Sequence, residues 1–435
     1  MRGLRPAIAR SPHGAPLPQT ARVATIPASI GGWNARDALA AMKPEDAIVL
    51  DNLIPITGGV QLRRGRQVHA TGLGGPVLSL MEYAPPSGPN RLFAATATAI
   101  HEVTAKGAVG AALLSGLAGG AWQHVMFPSL GGPCLVACNG ADAARRFDGT
   151  AWTPLAVTGV PPAELAQVGV MVNRLWFVRR GTLSAWYLPT GSIAGAAQEF
   201  PLGPMCRLGG ELLACGSWTQ DGGSGLDDLT VFVTSKGECI LYRGSDPTDP
   251  DDWFQVGVFR IPEPIGRRCL VKLGPDLGVL TSQGLVTLAG VLSTAEGRQG
   301  RGAVTDKISG AFTRAYRATG TAAGWDVTEY PRGKLLVVNV PVVEGHVQHQ
   351  YVMNTETGAW CRFRDLDAGC WSRLGSDLFY GGNDGTIYRY GDDPADIAGP
   401  IAAAIFPAFN AFGTPQTKRF TAARPLFVGP PGLVP

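Results

Sequence analysis

LTVFVTSKGECILYRG, residues Leu229 to Gly244, places two apolar runs on either side of Lys236-Gly237. Val, Ile, Phe and Tyr are strand residues, and a two-residue hairpin turn needs the positive φ that glycine takes without strain. The outline recurs in both directions along the chain. Upstream it appears in LFAATATAIHEVT (Leu92 to Thr104), in CLVACNGADAARRFDGTAWTPL (Cys134 to Leu155, with Asn139-Gly140 and Asp148-Gly149) and in RLWFVRRGTLSAWYL (Arg174 to Leu188). Downstream it appears in GVLTSQGLVTLAGV (Gly278 to Val291, turning at Gln283-Gly284), in LLVVNVPVVEGHVQHQYVMNTETGAWCRF (Leu335 to Phe363) and in DLFYGGNDGTIYRY (Asp377 to Tyr390, turning at Asp384-Gly385).

The runs begin at 92, 134, 174, 229, 278, 335 and 377, about 40 to 57 residues apart. That period, with several strands in each unit, predicts an all-β fold containing a β-propeller-like domain of roughly six to seven blades. A sandwich would need fewer strands, and a β-helix a shorter period. Helix signals are few: one turn over Ala38 to Met42 ended by Pro44, and short helices over Ala163 to Val168 and Thr305 to Tyr316, the last capped by Thr305 or Asp306.

Around the repeats the chain divides into four parts. Residues 1–30, rich in Pro, Ala and Arg, read as an extended arm, and 31–76 as a platform segment. Residues 77–395 hold the propeller. Residues 396–435 carry Ile401, Ile405, Phe409, Phe412, Phe420, Leu426 and Phe427, too apolar for a free linker, and are expected to return and pack on the platform.

Composition narrows the function. Gly 59 and Pro 34 are spread between apolar runs, as many turns between short strands require. Only 16% of residues are charged, which leaves neutral surface of the kind subunit contacts use. A net charge of +3 is too small to argue for nucleic-acid binding by itself. Eight cysteines occur without a CxxC pair and without a histidine at zinc spacing, so they read as reduced, buried thiols. No cleavable signal peptide and no apolar run of transmembrane length is evident, which points to synthesis in a cytoplasm and no membrane partner.

Catalytic signatures are scarce. The chain has no GxSxG elbow and no phosphate loop, and the six histidines stand at no triad spacing. His346 and Gln348 would share one face of a strand and His349 the other. Asp246, Asp249, Asp251 and Asp252 could bind calcium but read better as a solvated loop, as do Asp221, Asp227 and Asp228. FDGTAW (Phe147 to Trp152) and NTETGAW (Asn354 to Trp360) share an outline with the Asp-Gly-Trp hairpins of glycan-cleaving propellers, which makes a carbohydrate-binding or glycan-cleaving propeller the alternative function. The simpler reading is that glycine makes each turn and tryptophan packs between blades. The short basic spots Arg63-Arg64-Gly65-Arg66, Arg179-Arg180 and Arg267-Arg268 are expected to bridge subunits through carboxylates.

GGWNARD (Gly31 to Asp37), followed by Ala38 to Met42, by DAIVLDN (Asp46 to Asn52) and by GVQLRRG (Gly59 to Gly65), resembles the opening of a family of short-tailed phage structural proteins. FNAFG (Phe409 to Gly413), Lys418-Arg419-Phe420 and Arg424-Pro425 resemble that family's segment after its blades. The family is that of tail hub or nozzle proteins, similar to tail tubular protein B and to DNA-stabilisation hubs. The resemblance implies a non-enzymatic virion component without metal or cofactor. Several copies, commonly six, would form a ring below the portal and adaptor, bear fibres or a tail tip, and surround double-stranded DNA during ejection. It makes Trp33, Asn34, Arg36, Asp37, Arg63, Arg64, Arg66, Lys418 and Arg419 candidates for subunit contacts.

Overall fold

The computed structural model describes residues 23–221, 226–293, 303–341, 348–397, 399–413 and 416–426, with the backbone alone at 220, 221, 226 and 227. Strand makes up 46% of the chain and helix 8%. The described residues form seven consecutive antiparallel sheets. The first four have four strands each and run over Ser79–Ser115, Gln123–Pro154, Leu165–Pro201 and Leu212–Arg260. A three-stranded sheet spans Leu270–Thr287, a sixth is built on Asp326–Phe363, and a seventh on Ala368–Tyr390. Innermost strands of successive sheets touch, and that of the seventh touches that of the first; the fourth reaches the fifth through the latter's second strand. The contacts close a ring, and the fold is a seven-bladed β-propeller.

The seven runs legible in the sequence are the second strands of the seven blades: Arg91–Ala95, Gly132–Cys138, Arg174–Arg179, Leu226–Thr234, Asp276–Thr281, Leu335–Val340 and Asp377–Gly382. Their apolar continuity has a geometric cause. In Gly132–Cys138, Leu135 and Ala137 pack against the first blade, while Cys134, Val136 and Cys138 pack against the third. In Arg174–Arg179, Leu175 and Phe177 face one neighbour and Trp176 and Val178 the other. A strand inside a blade alternates between two apolar interfaces and so loses the apolar-polar alternation of a half-buried strand. Glycines at the turns take positive φ, as at Gly237 (78°) and Gly385 (76°). The eight cysteines are free thiols, seven of them buried. Burial pushes the Cys239, Cys269 and Cys370 thiols up to about 12, so they serve as small apolar side chains.

The sheets do not divide where the sequence suggested. Arg66–Thr71, expected in the platform, is the fourth strand of the seventh blade, antiparallel to Ile387–Tyr390, with Gly107–Ala108 pairing parallel beyond it. A strand from before the first blade thereby completes the last one and fastens the ring. Leu39–Ala41 makes the short helical turn expected near Ala38. Ala163 to Val168 is not a helix. Pro162–Glu164 forms one 3₁₀ turn, and Leu165–Met171 is the innermost strand of the third blade, because pairing with Arg174–Arg179 outweighs the weak helical preference of Leu and Ala. The second expected helix is present as Ser309–Thr319, but Thr305 does not cap it; its hydroxyl oxygen accepts from the Leu285 amide in the fifth blade, 3.0 Å away.

Arg268 precedes the inner strand of the fifth blade. Its guanidinium donates to the Ser79 hydroxyl (2.6 Å) and the Leu78 carbonyl (3.0 Å) at the first blade, and to the Trp122 carbonyl (3.2 Å) at the second. In a ring of seven, these blades lie on the far side of the axis, so Arg268 spans it as a spoke. Arg267 beside it bonds Glu211 (2.8 Å) and the Leu212 and Leu213 carbonyls. Neither arginine is the subunit bridge expected from the sequence. Arg179 likewise pairs within the chain, with Glu164 at 2.7 Å.

Removing the spoke leaves buried carbonyls without their charged donor, so Arg268→Met is expected to cost about 1–3 kcal/mol in a urea-unfolding measurement. Burial, reinforced by Arg268, lowers the pKa of His124 to about 4, and burial with Arg362 and Arg364 nearby does the same at His349. Unfolded histidines protonate near 6.5, so between 6.5 and about 4 the unfolded chain binds more protons and stability rises with pH. This contribution is complete above pH 6.5 and is lost as pH falls to about 4. Unfolding free energy measured across that window should fall less steeply in a His124→Gln, His349→Gln double variant.

Candidate assembly surface

The sixth blade continues outward beyond its four strands. Its edge strand Trp360–Phe363 meets Asp46–Asp51 in parallel, and Gly32–Trp33 lies parallel to the start of Asp46–Asp51. Ala404–Pro407 from the C-terminal segment pairs antiparallel with Asp46–Asp51. The Glu45 and Ala47 carbonyls accept from the Gly31 and Asn34 amides, whereas the Asp46 carbonyl accepts from Ala408. Successive carbonyls of a strand point to opposite edges, so Ala404–Pro407 lies on the side away from Gly32–Trp33 and forms the sheet's outer border. The helical Ser309–Thr319 segment packs beneath, its start held by an Ala35 amide bond to the Lys307 carbonyl.

The sequence motifs at this end join into one polar network. Asn34 is buried; its amide nitrogen donates to Asp46 (2.8 Å) and Asp37 (2.9 Å), and its oxygen accepts from the Arg36 and Asp37 amides. Lys307 reaches the same Asp46 carboxylate at 2.6 Å. Arg36 pairs with Asp37 at 2.7 Å and with Asp306. Asp37 is held down to about 2, chiefly by its bond from Arg36 and then by Asn34. The two glycines before Trp33 are required by space: a β-carbon on Gly31 would stand 2.3 Å from an Asp46 oxygen, and Gly32 has φ +81° with the Trp360 carbonyl 2.7 Å from where its β-carbon would be. Trp33 is buried edge-on against Tyr351 at 5.2 Å, with the Arg362 guanidinium 5.5 Å from its ring centre. Arg362 in turn grips Asp51 through two bonds of 2.8 Å.

Arg63 is the second knot. Its side chain is wholly buried, forked onto Asp396 at 2.6 and 3.0 Å, with further bonds to Asn52 (2.9 Å) and to the Arg64 and Arg364 carbonyls. Arg66 donates to the Asp365 carbonyl (2.6 Å) and to Tyr380 (3.0 Å) and stacks over Tyr388. Trp33, Asn34, Arg63 and Arg66 therefore act inside the chain, which corrects their expected place in a subunit contact. Each is already engaged by its own fold: Trp33, Asn34 and Arg63 are buried, and Arg66, half-buried, is bonded to Asp365 and Tyr380. Arg36 and Asp37 pair with each other near the surface, Arg64 and Arg419 are exposed, and Lys418 donates to the Gln416 carbonyl at 3.1 Å.

What the sequence reading missed is the apolar border itself. Ile405 is 44% exposed, Phe406 60%, Phe409 67% and Phe420 64%. These residues were expected to pack inward, and the strand does pair with Asp46–Asp51, yet its side chains face solvent. The alternation rule allowed this face, but nothing local in AIFP distinguishes a covered strand from a bare one. Phe427 lies outside the described residues.

The other chemical candidates resolve into turns and core. Asp148 accepts bonds from the Thr150 hydroxyl and the Thr150 and Ala151 amides, which hold its carboxyl down to about 2. Trp152 and Phe147 pack with Phe93. In the second such outline Asn354 accepts from the Glu356 amide and Trp360 is fully buried. Asp246 and Asp252 order their own loop, Asp252 accepting from the Ser245 and Asp246 amides, and Arg174 pairs with Asp246 at 3.0 Å. Among the described residues no group of three metal-ligating side chains stands together, and no helix is long and apolar enough to cross a membrane. His346 and the side chains of Asp221 and Asp227 lie outside the described residues.

No protein-family model matches the chain, and no curated protein does. Among solved structures it is similar to BBS1N, crystallised in complex with ARL6DN: 13% identity over 76% of this chain and 98% of that one, TM-score 0.44. It is also similar to the computationally designed Ika8 protein: 11% identity over 73% and 83% of the two chains, TM-score 0.38. Likeness at this level says nothing about what the chain binds.

Arg63→Met would strand Asp396 and open both termini of the platform. Removing one partner of a buried pair costs about 3–5 kcal/mol, and that loss is expected in urea unfolding. Arg63→Lys should recover only part of it, because an ammonium cannot make the forked contact.

Proposed function

We propose that this chain is a structural subunit of a short-tailed phage tail: one copy in a hub or nozzle ring that meets the adaptor on one side and fibre or tip proteins on the other. The observation that carries the reading is the junction of the two segments that resemble that family. They lie at opposite ends of the sequence, yet Asp46–Asp51 of the first pairs in one sheet with Ala404–Pro407, which leads through Ala408 into FNAFG of the second. That sheet ends in an exposed apolar edge strand. Such an edge is a liability for a protein that works alone and an asset for one that assembles.

The propeller axis is not the conduit in this reading. With Arg268 bonded across it, a DNA duplex passes outside each propeller, along the axis of the ring the copies form. The low charge suits that task, since few cations means weak phosphate binding and a strand that slides. Alternating apolar interfaces between seven closed blades supply the rigidity.

The mass of the purified chain in solution, alone and with its adaptor, tests the proposal. A ring, or assembly that occurs only on the adaptor, is the expected result. A chain that stays monomeric with every head-tail protein of the same virion would overturn it.

A further inference from the structure

The ring reading leaves open which surfaces join one copy to the next. Among the described border strands of the blades, two carry large apolar side chains in solvent: Ala404–Pro407 beyond the sixth blade, and Phe254–Arg260, the outer strand of the fourth. Phe254 is 50% exposed and Val256 43%. The borders of the first three blades, Leu114–Ser115, Trp152–Pro154 and Gln198–Pro201, expose none. Phe254–Arg260 has one strand partner, Glu238–Arg243, and a bulge at Val256 bends it. The two bare borders differ in charge. Asp249 and Asp251, in the loop ahead of Phe254, are exposed and have no cation partner among the described residues. After Asp396 the chain carries Lys418, Arg419 and Arg424 and no acid. The rings of Phe412 and Phe420 meet at 5.4 Å, which keeps Arg419 near the end of Ala404–Pro407.

We infer that the start of Phe254–Arg260 in one copy packs against Ala404–Pro407 in the next, with Phe254 and Val256 covering Ile405 and Phe406; this rests on the tail-ring reading. Aligned antiparallel, the two strands set Asp249 and Asp251 beside Arg419 and Arg424, so an apolar seam gains a rim of opposite charges. A copy cannot make this contact with itself, because the fourth and sixth blades are fixed two places apart in one closed ring. The chain's own N-terminal arm is the rival occupant of Ala404–Pro407, and charge disfavours it. Residues 1–30 hold Arg2, Arg5, Arg10 and Arg22 and no acid, the same sign as the tail. The arm's described part, residues 23–28, is exposed and has no strand partner among the described residues. The arm would also leave Phe254 and Val256 bare, whereas the joint between copies covers both borders at once. Two blades of seven subtend roughly 100° at the propeller axis. Each joint therefore turns the series of copies, and a head-to-tail contact that turns closes into a ring when the rotation allows.

Cysteine pairs and charge reversal test the joint in the full chain, assembled alone or on the adaptor. Val256→Cys is combined with Ile405→Cys and oxidised. The expected result is a ladder of disulfide-linked chains on a denaturing gel that needs both new cysteines, the single variants serving as controls for the native thiols. Asp249→Lys with Asp251→Lys is expected to raise the concentration at half-assembly about tenfold, as is Arg419→Glu with Arg424→Glu, and the four together to restore it. The restoration separates a broken contact from a broken fold. A ring that forms without the ladder and is indifferent to both reversals overturns the inference and leaves the tail-ring reading standing. Linkage of Ile405→Cys to Ile26→Cys in place of Val256→Cys overturns it too, by placing the arm on that edge. Wild-type protein that never assembles overturns both.

Discussion

Every blade of this protein is apolar on both faces, and that is the constraint from which the rest follows. A sheet like Gly132–Cys138 with its neighbours, burying Leu135 on one side and Val136 on the other, cannot end a stack. Each face left open would expose a contiguous apolar surface worth roughly 25 cal/mol for every Å² kept from water. Stacking blades solves this for all but the two end faces, and only a circle solves it for those. The ring then needs a fastener, and Arg66–Thr71 on the seventh blade together with Arg268 across the axis provides one in backbone bonds and one in charge.

Closing the ring with Arg66–Thr71 determines what happens to the residues before it. Residues 31–65 must leave the ring at the seventh blade, and they do so along the outside of the sixth, where Asp46–Asp51 finds an unpaired edge at Arg362. Three charged side chains of this stretch, Asp46, Asp51 and Arg63, are short of water there, and each has a partner: Asp51 with Arg362, Asp46 with Lys307 and Asn34, Arg63 with Asp396. A buried ion pair contributes little net stability over an apolar replacement but is costly to break, so the network specifies one arrangement of the platform. It passes the open edge outward to Ala404–Pro407.

The candidate site was partly legible. GGWNARD, DAIVLDN and GVQLRRG stand out in the sequence, and all three fall in one structural unit, but their charged and aromatic residues turned out to hold the chain together. Charge pattern alone cannot separate an arginine that meets a neighbour from one that meets an aspartate more than 300 residues away, as Arg63 meets Asp396. The apolar tail was noticed and its return to the platform segment expected, while its exposure was not, because exposure depends on whether anything lies beyond the last strand.

The sequence by itself determined the unit and its repetition. Seven apolar runs with glycine turns specify seven second strands, since a strand paired on both edges and buried on both faces needs nothing but local β preference and continuous apolarity to declare itself. The first and last strands of the blades, Leu165–Met171 among them, carry weaker signals because one side faces the axis or the rim. Only the tertiary structure decided how the circle closes, which arginine crosses it, and which edge remains open. Those are relations between residues far apart in sequence, settled by which surfaces are left over once the blades have packed, and no local pattern encodes a remainder.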